Sequence, residues 1–180
     1  ELINGAPIQD KEKYGGVHTI PIPTGDPWFD PAATGQKSFT FTRANTVLNT
    51  GSGTNIPKQT LNQQSPLLDL SNVYGTSEAI LSRFLNRTHP AYFQVGETRT
   101  GEICLPFNTL GATMDDPLGG PVDSLFAGAD AKLNQNPFLT VAHTIFVLEH
   151  NRLVDELAKE HKNWNQKKLF FEARRRNIAQ

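Results

Sequence analysis

A chain of 180 residues, 37% hydrophobic and 19% charged, carries enough apolar material for one sizeable core, which sets it apart from disordered and collagen-like sequences. Its net charge of -1 gives no broad electrostatic footprint for nucleic acid, so nucleic acid is excluded as a partner and Arg174–Arg176 reads as a solvated helix face. No apolar run approaches the roughly 20 residues that span a bilayer, and ELINGAPIQDKEKYGG does not read as a signal peptide. The single cysteine, Cys104, excludes an internal disulfide and leaves only an interchain bridge open.

Residues 1 to 64 are rich in Gly, Pro, Thr, Asn and Gln and show no amphipathic helix, so they are expected to wrap over a body supplied partly elsewhere. Within them VHTIPIP (17–23) alternates but carries two prolines, which suits an edge strand or extended wrap. SFTFTR (38–43) is a short strand candidate, and 46–58 reads as a flexible loop. Thr76 is expected to cap a helix over 77–87 with Ile80, Leu81, Phe84 and Leu85 on its buried stripe. Asn86-Arg87-Thr88 matches an N-glycosylation acceptor. Segments 91–95 and 102–106 flank Glu97–Gly101 as a small β-hairpin, and the Gly- and Pro-rich stretch 108–121 is a loop.

The stretch from Ala127 to Arg152 organises the rest. Asn136 followed by Pro137 starts a helix, with Asn as the cap and Pro where its missing N–H costs nothing. Leu139, Ala142, Phe146, Leu153 and Leu157 fall at helical spacing, and Val141, Ile145 and Val147 widen the apolar face over most of the circumference. Such a helix belongs in a core, and the polar block Glu149-His150-Asn151-Arg152 inside it needs partners. Trp164 and the cap Asn165 introduce a second helix from about Gln166 to the end, with Leu169, Phe170, Ala173 and Ile178 on its buried side. Two helices so closely joined pack as a hairpin.

Two local patterns bear on chemistry. Ser65, Leu67, Asp69 and Ser71 alternate along a tight loop, and alternate groups point the same way, so two hydroxyls, a carbonyl and a carboxylate could ligate one calcium ion. The competing reading is a turn in which Asp69 and Ser71 bond nearby backbone N–H groups. His143 and His150 lie seven apart, which is not the spacing that sets two imidazoles on one zinc ion, so hydrogen bonds in the core are their expected role. Lys132 alone reads as a surface cation, although a cation in the polar loop before a helix can polarise a neighbouring oxygen.

Together these segments resemble the animal-type haem peroxidase superfamily, the group of myeloperoxidase, lactoperoxidase, peroxidasin and their bacterial relatives. The resemblance spans residues 17 to 180. It rests on Ile20-Pro21-Ile22-Pro23 with Gly25-Asp26-Pro27, on Ser65 to Ser71 continued by Val73-Tyr74-Gly75, on Ala127-Gly128 with Asp130, and on His143-Thr144, Glu149-His150-Asn151-Arg152 and Glu172-Ala173-Arg174. Asp26-Pro27-Trp28-Phe29-Asp30-Pro31 is closer in style to the bacterial members.

The resemblance implies a mainly α fold, the central part of the peroxidase fold, with long wrapping loops and a small β-hairpin. Residues 1–16 are then an N-terminal extension and 17–180 a partial haem peroxidase domain. Implied cofactors are haem b, bound by the complete protein, and calcium on Ser65, Leu67, Asp69 and Ser71. Implied partners are hydrogen peroxide, a small reductant or halide, and the remainder of the polypeptide, in an extracellular or cell-surface setting. The distal and proximal histidine segments of the family find no match in this chain. Where the family usually has Asp-x-Arg-x-Asn-Glu, this chain has Asp130-Ala131-Lys132-Leu133-Asn134-Gln135. Lys132 takes the place of the catalytic arginine, and Gln135 that of a glutamate that in mammalian members forms an ester to haem; both are expected to face the cofactor. Lys keeps the charge without the planar fork of Arg. The alternative implied by these departures is a non-catalytic, calcium-binding structural or interaction module.

Overall fold

The computed structural model describes residues 17–42, 47, 50–51, 55–60, 62, 64–116 and 119–180. Much of the loop expected over 46–58 therefore lies outside the described residues. The chain divides into two compact units, one within residues 7–62 and the other within 63–180.

In the first unit, β1 (Val17–Pro21) pairs antiparallel with β2 (Ser38–Thr42), with Ile20 opposite Phe39 and His18 opposite Phe41. The edge character expected from Pro21 and Pro23 is realised, because a two-stranded sheet has only edges. The connection between the strands is organised by Asp30, which is fully buried. Its carboxylate accepts hydrogen bonds from the Thr34 hydroxyl at 2.6 Å, the Gly35 N–H at 2.9 Å and the Thr34 N–H at 3.1 Å. The Thr34 hydroxyl and the Gly35 amide lead in holding this carboxyl down at about 2, against the upward push of burial.

The second unit is mainly helical. Its elements are two single-turn helices, α1 (Ser71–Tyr74) and α2 (Glu78–Leu81); a hairpin of β3 (Gly96–Glu97) and β4 (Ile103–Cys104); two 3₁₀ turns, Val122–Ser124 and Ala131–Asn134; and two long helices, α3 (Pro137–Glu160) and α4 (Gln166–Ile178). The expected hairpin forms, but only two residues of each strand pair, Gly96 with Cys104 and Glu97 with Ile103. The long helices pack against each other as the expected helical hairpin. Asn136 and Asn165 cap them, each side-chain oxygen accepting a backbone N–H three residues on, from Leu139 at 3.0 Å and Lys168 at 2.9 Å.

The helix expected over 77–87 does not form at that length. Ser77, not Thr76, is the cap, and α2 stops after one turn. Beyond it the backbone leaves the helix to pair with the segment before β3: Leu85 bridges Phe93, Gln94 N–H donates to Phe84 O, and Asn86 N–H donates to Tyr92 O, the last two at 2.8 Å. These non-local bonds satisfy the groups that a longer helix would have paired, so tertiary pairing overrides local propensity. Phe84 is buried as expected, by a different route.

The face that α3 buries also differs. Its buried residues are His143, Val147, His150, Leu153, Val154 and Leu157. Val141 and Ile145, expected to widen the core face, are 56% and 58% exposed. The buried stripe runs 143, 147, 150, 154 and 157, and two of its five members are histidines, which a hydrophobicity pattern counts as polar. On α4 the match is closer: Leu169, Phe170 and Ala173 are buried, with Asn177 continuing the stripe.

Candidate functional site

The polar loop before α3 is a rigid platform. In the 3₁₀ turn Ala131–Asn134, Ala131 and Leu133 are 1% and 0% exposed, so the backbone is pinned to the core on alternate residues. Asp130 caps the turn by accepting the Lys132 N–H at 3.0 Å. Asn134 grips the Phe126 backbone at both ends, accepting its N–H at 3.0 Å and donating to its carbonyl at 2.9 Å. The Thr140 hydroxyl donates to Leu133 O at 2.7 Å, tying the turn to α3. Gly128 allows the closest approach: a Cβ there would stand 2.6 Å from Leu133 Cδ2.

Lys132 and Gln135 are the exposed members of this platform. The Lys132 ammonium makes no ion pair with any described residue. The Gln135 amide nitrogen donates to Asp115 Oδ2 at 2.7 Å, and Asp115 N–H donates to Ala131 O at 2.9 Å. Sequence reasoning missed Asp115, which sits in a loop 20 residues away and carries no local signal.

The second candidate group converges more fully. The Ser65 and Ser71 hydroxyls both lie close enough to the Asp69 carboxylate to stabilise its charge. Burial pushes this carboxyl up, but those two hydroxyls and the Ser71 N–H, at 3.0 Å, outweigh it and hold the carboxyl below its ordinary range. The same loop contains the turn bonds of the competing reading, Ser71 N–H to Asp69 Oδ1 and Leu67 N–H to Ser65 Oγ at 3.1 Å. Leu70 adopts the left-handed conformation at φ 52°, an uncommon state for a branched side chain. One carboxylate and two hydroxyls are hard oxygen donors of the kind calcium takes, though fewer than the about six to eight of a complete shell. Leu67 exposes 70% of its surface and contributes no side-chain contact to the group.

A narrow cleft is lined by Asn72 and Val73 of α1, directly after the Ser65–Ser71 loop, together with Gly128, Ala129, Leu133 and His143. Gly75, at φ 76°, lets α1 end against Ile80 and Ala129, to which a Cβ would stand 2.9 and 3.5 Å away.

Behind the cleft lies a buried polar chain. His150 Nε2 donates to Ala91 O at 2.9 Å, so Nδ1 accepts from the Tyr74 hydroxyl at 2.9 Å. Asn177 Nδ2 donates both to that hydroxyl and to Phe146 O, each at 2.9 Å. Burial, reinforced by the Arg174 charge and opposed by the Ala91 bond, pushes the His150 pKa down to about 4, so the imidazole is neutral. Asn151 clamps the Phe93 backbone in the manner of Asn134, accepting at 2.9 Å and donating at 3.1 Å. Glu149 and Arg152 form a two-bond pair at 2.6 and 2.7 Å, and Arg152 also pairs with Glu156. His143 donates Nδ1–H to Leu139 O at 2.7 Å, while its buried Nε2 has no partner among the described residues. Among the described residues no three His, Cys, Asp or Glu side chains form a metal-binding group. No described helix is long and apolar enough to cross a membrane.

The polar block of α3 thus ties Tyr74 and the Ala91–Phe93 segment to one helix. The family model for animal haem peroxidase matches residues 4–180. The chain belongs to the animal haem peroxidase family. Its similarity to dual oxidase 2 of Rattus norvegicus is 32% identity over 168 residues, 89% of this chain and 11% of that protein. Lactoperoxidase of Mesocricetus auratus is 30% identical over 166 residues, 89% of this chain and 23% of that protein. Among solved structures, peroxidase A from Dictyostelium discoideum superposes with a TM-score of 0.74 at 27% identity, covering 90% of this chain and 33% of that one. Fatty acid alpha-dioxygenase from Oryza sativa shares the fold, with a TM-score of 0.54 at 19% identity, over 91% of this chain and 23% of that one. The chain therefore spans about a tenth to a third of the length of these haem peroxidase relatives.

Proposed function

We propose that this chain is the calcium-stiffened support of a haem peroxidase site, and that the complete protein reduces hydrogen peroxide while oxidising small donors or halides outside the cell or at its surface. The observation that carries the reading is Lys132: an unpaired, exposed cation on a platform whose neighbouring residues Ala131 and Leu133 are buried, at the position of the family's arginine. Haem b, when bound, supplies the redox chemistry. Lys132 brings a positive charge, on a fixed backbone, to where negative charge develops on an oxygen, and the fixed backbone spares part of the cost of reorganisation. Gln135, tethered to Asp115, lines the same exposed edge and has no carboxylate for an ester. Ser65, Asp69 and Ser71, with the Leu67 carbonyl, take calcium, and α1 carries the resulting stiffness to the platform.

The test uses the parent polypeptide. It should show a haem Soret band and turn over peroxide, and Lys132→Ala should slow the reaction with peroxide while Lys132→Arg speeds it. Full activity in Lys132→Ala would remove Lys132 from the mechanism. The tie between Gln135 and Asp115, which occupies the position of an ester-forming glutamate with a structural contact, favours the second reading of a non-catalytic calcium-binding module. A purified parent without haem decides for that reading.

A further inference from the structure

We propose that His143 and Asn72 hold one water molecule between them, in the cleft that α1 shares with α3. His143 is 4% exposed and stands in the buried stripe of α3. Its Nδ1 lies 2.7 Å from Leu139 O, and a carbonyl only accepts, so Nδ1 carries the ring proton and Nε2 of the neutral ring presents a lone pair. His143 lines the cleft, and Nε2 is buried without a partner among the described residues. A buried acceptor left without a donor costs stability, which is why such atoms are nearly always paired.

The side-chain donors around this nitrogen are engaged elsewhere. On α3 the Thr140 hydroxyl donates to Leu133 O and the Thr144 hydroxyl to Thr140 O, each at 2.7 Å. Gln94, a second amide on the cleft, directs its Nε2 to Leu85 O at 2.8 Å and to Arg83 O at 3.3 Å. The walls formed by Val73, Phe84, Leu105 and Leu133 have no side-chain donor at all. Asn72 lines the same cleft with an amide that can donate or accept, but it does not reach Nε2 directly. The space open to a water-sized sphere is about 10 Å³, enough for one water and too small for an organic ligand. One O–H of that water donates to Nε2, and its oxygen or second O–H engages the Asn72 amide. Two polar partners in an otherwise apolar cleft are what an ordered internal water requires. The bridge adds a directional link between α1 and α3 to the apolar packing of Val73 and Val147.

The site needs neither haem nor calcium, so its failure would leave the peroxidase reading untouched. A high-resolution crystal structure of the full chain should show a single ordered oxygen within hydrogen-bond distance of both His143 Nε2 and the Asn72 side chain. In solution, nitrogen-15 spectra of histidine-labelled protein, taken where the ring is neutral, should show Nδ1 protonated and the Nε2 resonance moved upfield of a free imine-type nitrogen. Asn72→Ala should lower the occupancy of the oxygen while the Nδ1 bond to Leu139 O stays in place. A protein donor on Nε2, a cleft without the oxygen, or an Nε2 resonance at the free position overturns the proposal. Unchanged occupancy in Asn72→Ala overturns the bridge. The wild-type measurements decide the matter even if the variant fails to fold.

Discussion

Lowering the pH from 7 to 5 should destabilise the second unit through His150. The imidazole titrates near 6.5 in the unfolded chain and at about 4 in the fold, chiefly because burial disfavours the cation. Between those values the unfolded state binds more protons, so stability rises with pH, is fully present above 6.5 and is lost as the pH falls. Integrating one such group from pH 7 to pH 5 gives a loss of about 2 kcal/mol. Glu149 and Glu172, held at about 2 by hydrogen bonds from Arg152 and Arg175, lose their contribution only below the ordinary carboxylate range, so they leave this window clear. Urea unfolding at the two pH values, followed by tryptophan fluorescence from Trp164, measures the difference. His150→Gln should start less stable, because the amide replaces the imidazole bonds to Tyr74 and Ala91 imperfectly, and should lose the pH dependence over this range. Equal pH dependence in the variant and the wild type would refute the assignment of His150 as a buried neutral group.

Calcium should raise the melting temperature, a chelator should reverse the gain, and Asp69→Ala should abolish the difference; a wild-type protein indifferent to chelation sinks the site. Asn136→Ala removes the oxygen that caps the Leu139 N–H and should cost about 1 kcal/mol in urea unfolding, whereas a cost near zero would mean that water replaces the cap. Gly75→Ala forces a side chain into a backbone state at φ 76° and against Ile80, at a cost of about 1 to 3 kcal/mol. Its crystal structure should show α1 displaced from Ala129, and an unshifted α1 would contradict the packing argument.

The features that local chemistry fixes were legible in the sequence. Asn136-Pro137 and Asn165 placed the starts of both long helices, because a cap is a three-residue event. The features set by distant partners were not. Val141 and Ile145 are exposed because His143 and His150 take the buried stripe, and an imidazole belongs in a core only once Tyr74, Ala91 and Leu139 supply its hydrogen bonds. The helix expected over 77–87 failed for the same reason, since Phe93 and Gln94 compete for its backbone from across the unit. Around Lys132 the sequence showed which residue carries the charge; Asn134, Asp115 and Thr140, which hold the platform, became visible only in three dimensions.

That division bears on the proposal that Lys132 stands in for an arginine. An arginine fork fixes its own direction through paired hydrogen bonds, whereas a lysine is a point charge on a flexible stem and loses more freedom when it must stay in one place. Here the surroundings limit that loss at the backbone. Asp130 caps the turn, Asn134 fastens it to Phe126, and Ala131 and Leu133 are buried on either side, so the Lys132 Cα is held although its ammonium is not. The remaining freedom lies in the side-chain torsions, worth up to about 2 kcal/mol of rotamer entropy. A lysine on a pinned backbone therefore keeps the electrostatic part of the arginine's role and gives up the directional part. Lys132→Arg in the parent polypeptide should then sharpen the response to peroxide geometry more than to charge, raising the rate with peroxide while leaving its salt dependence unchanged; a rate that follows ionic strength alone in both proteins would show that the fork contributes nothing at this position.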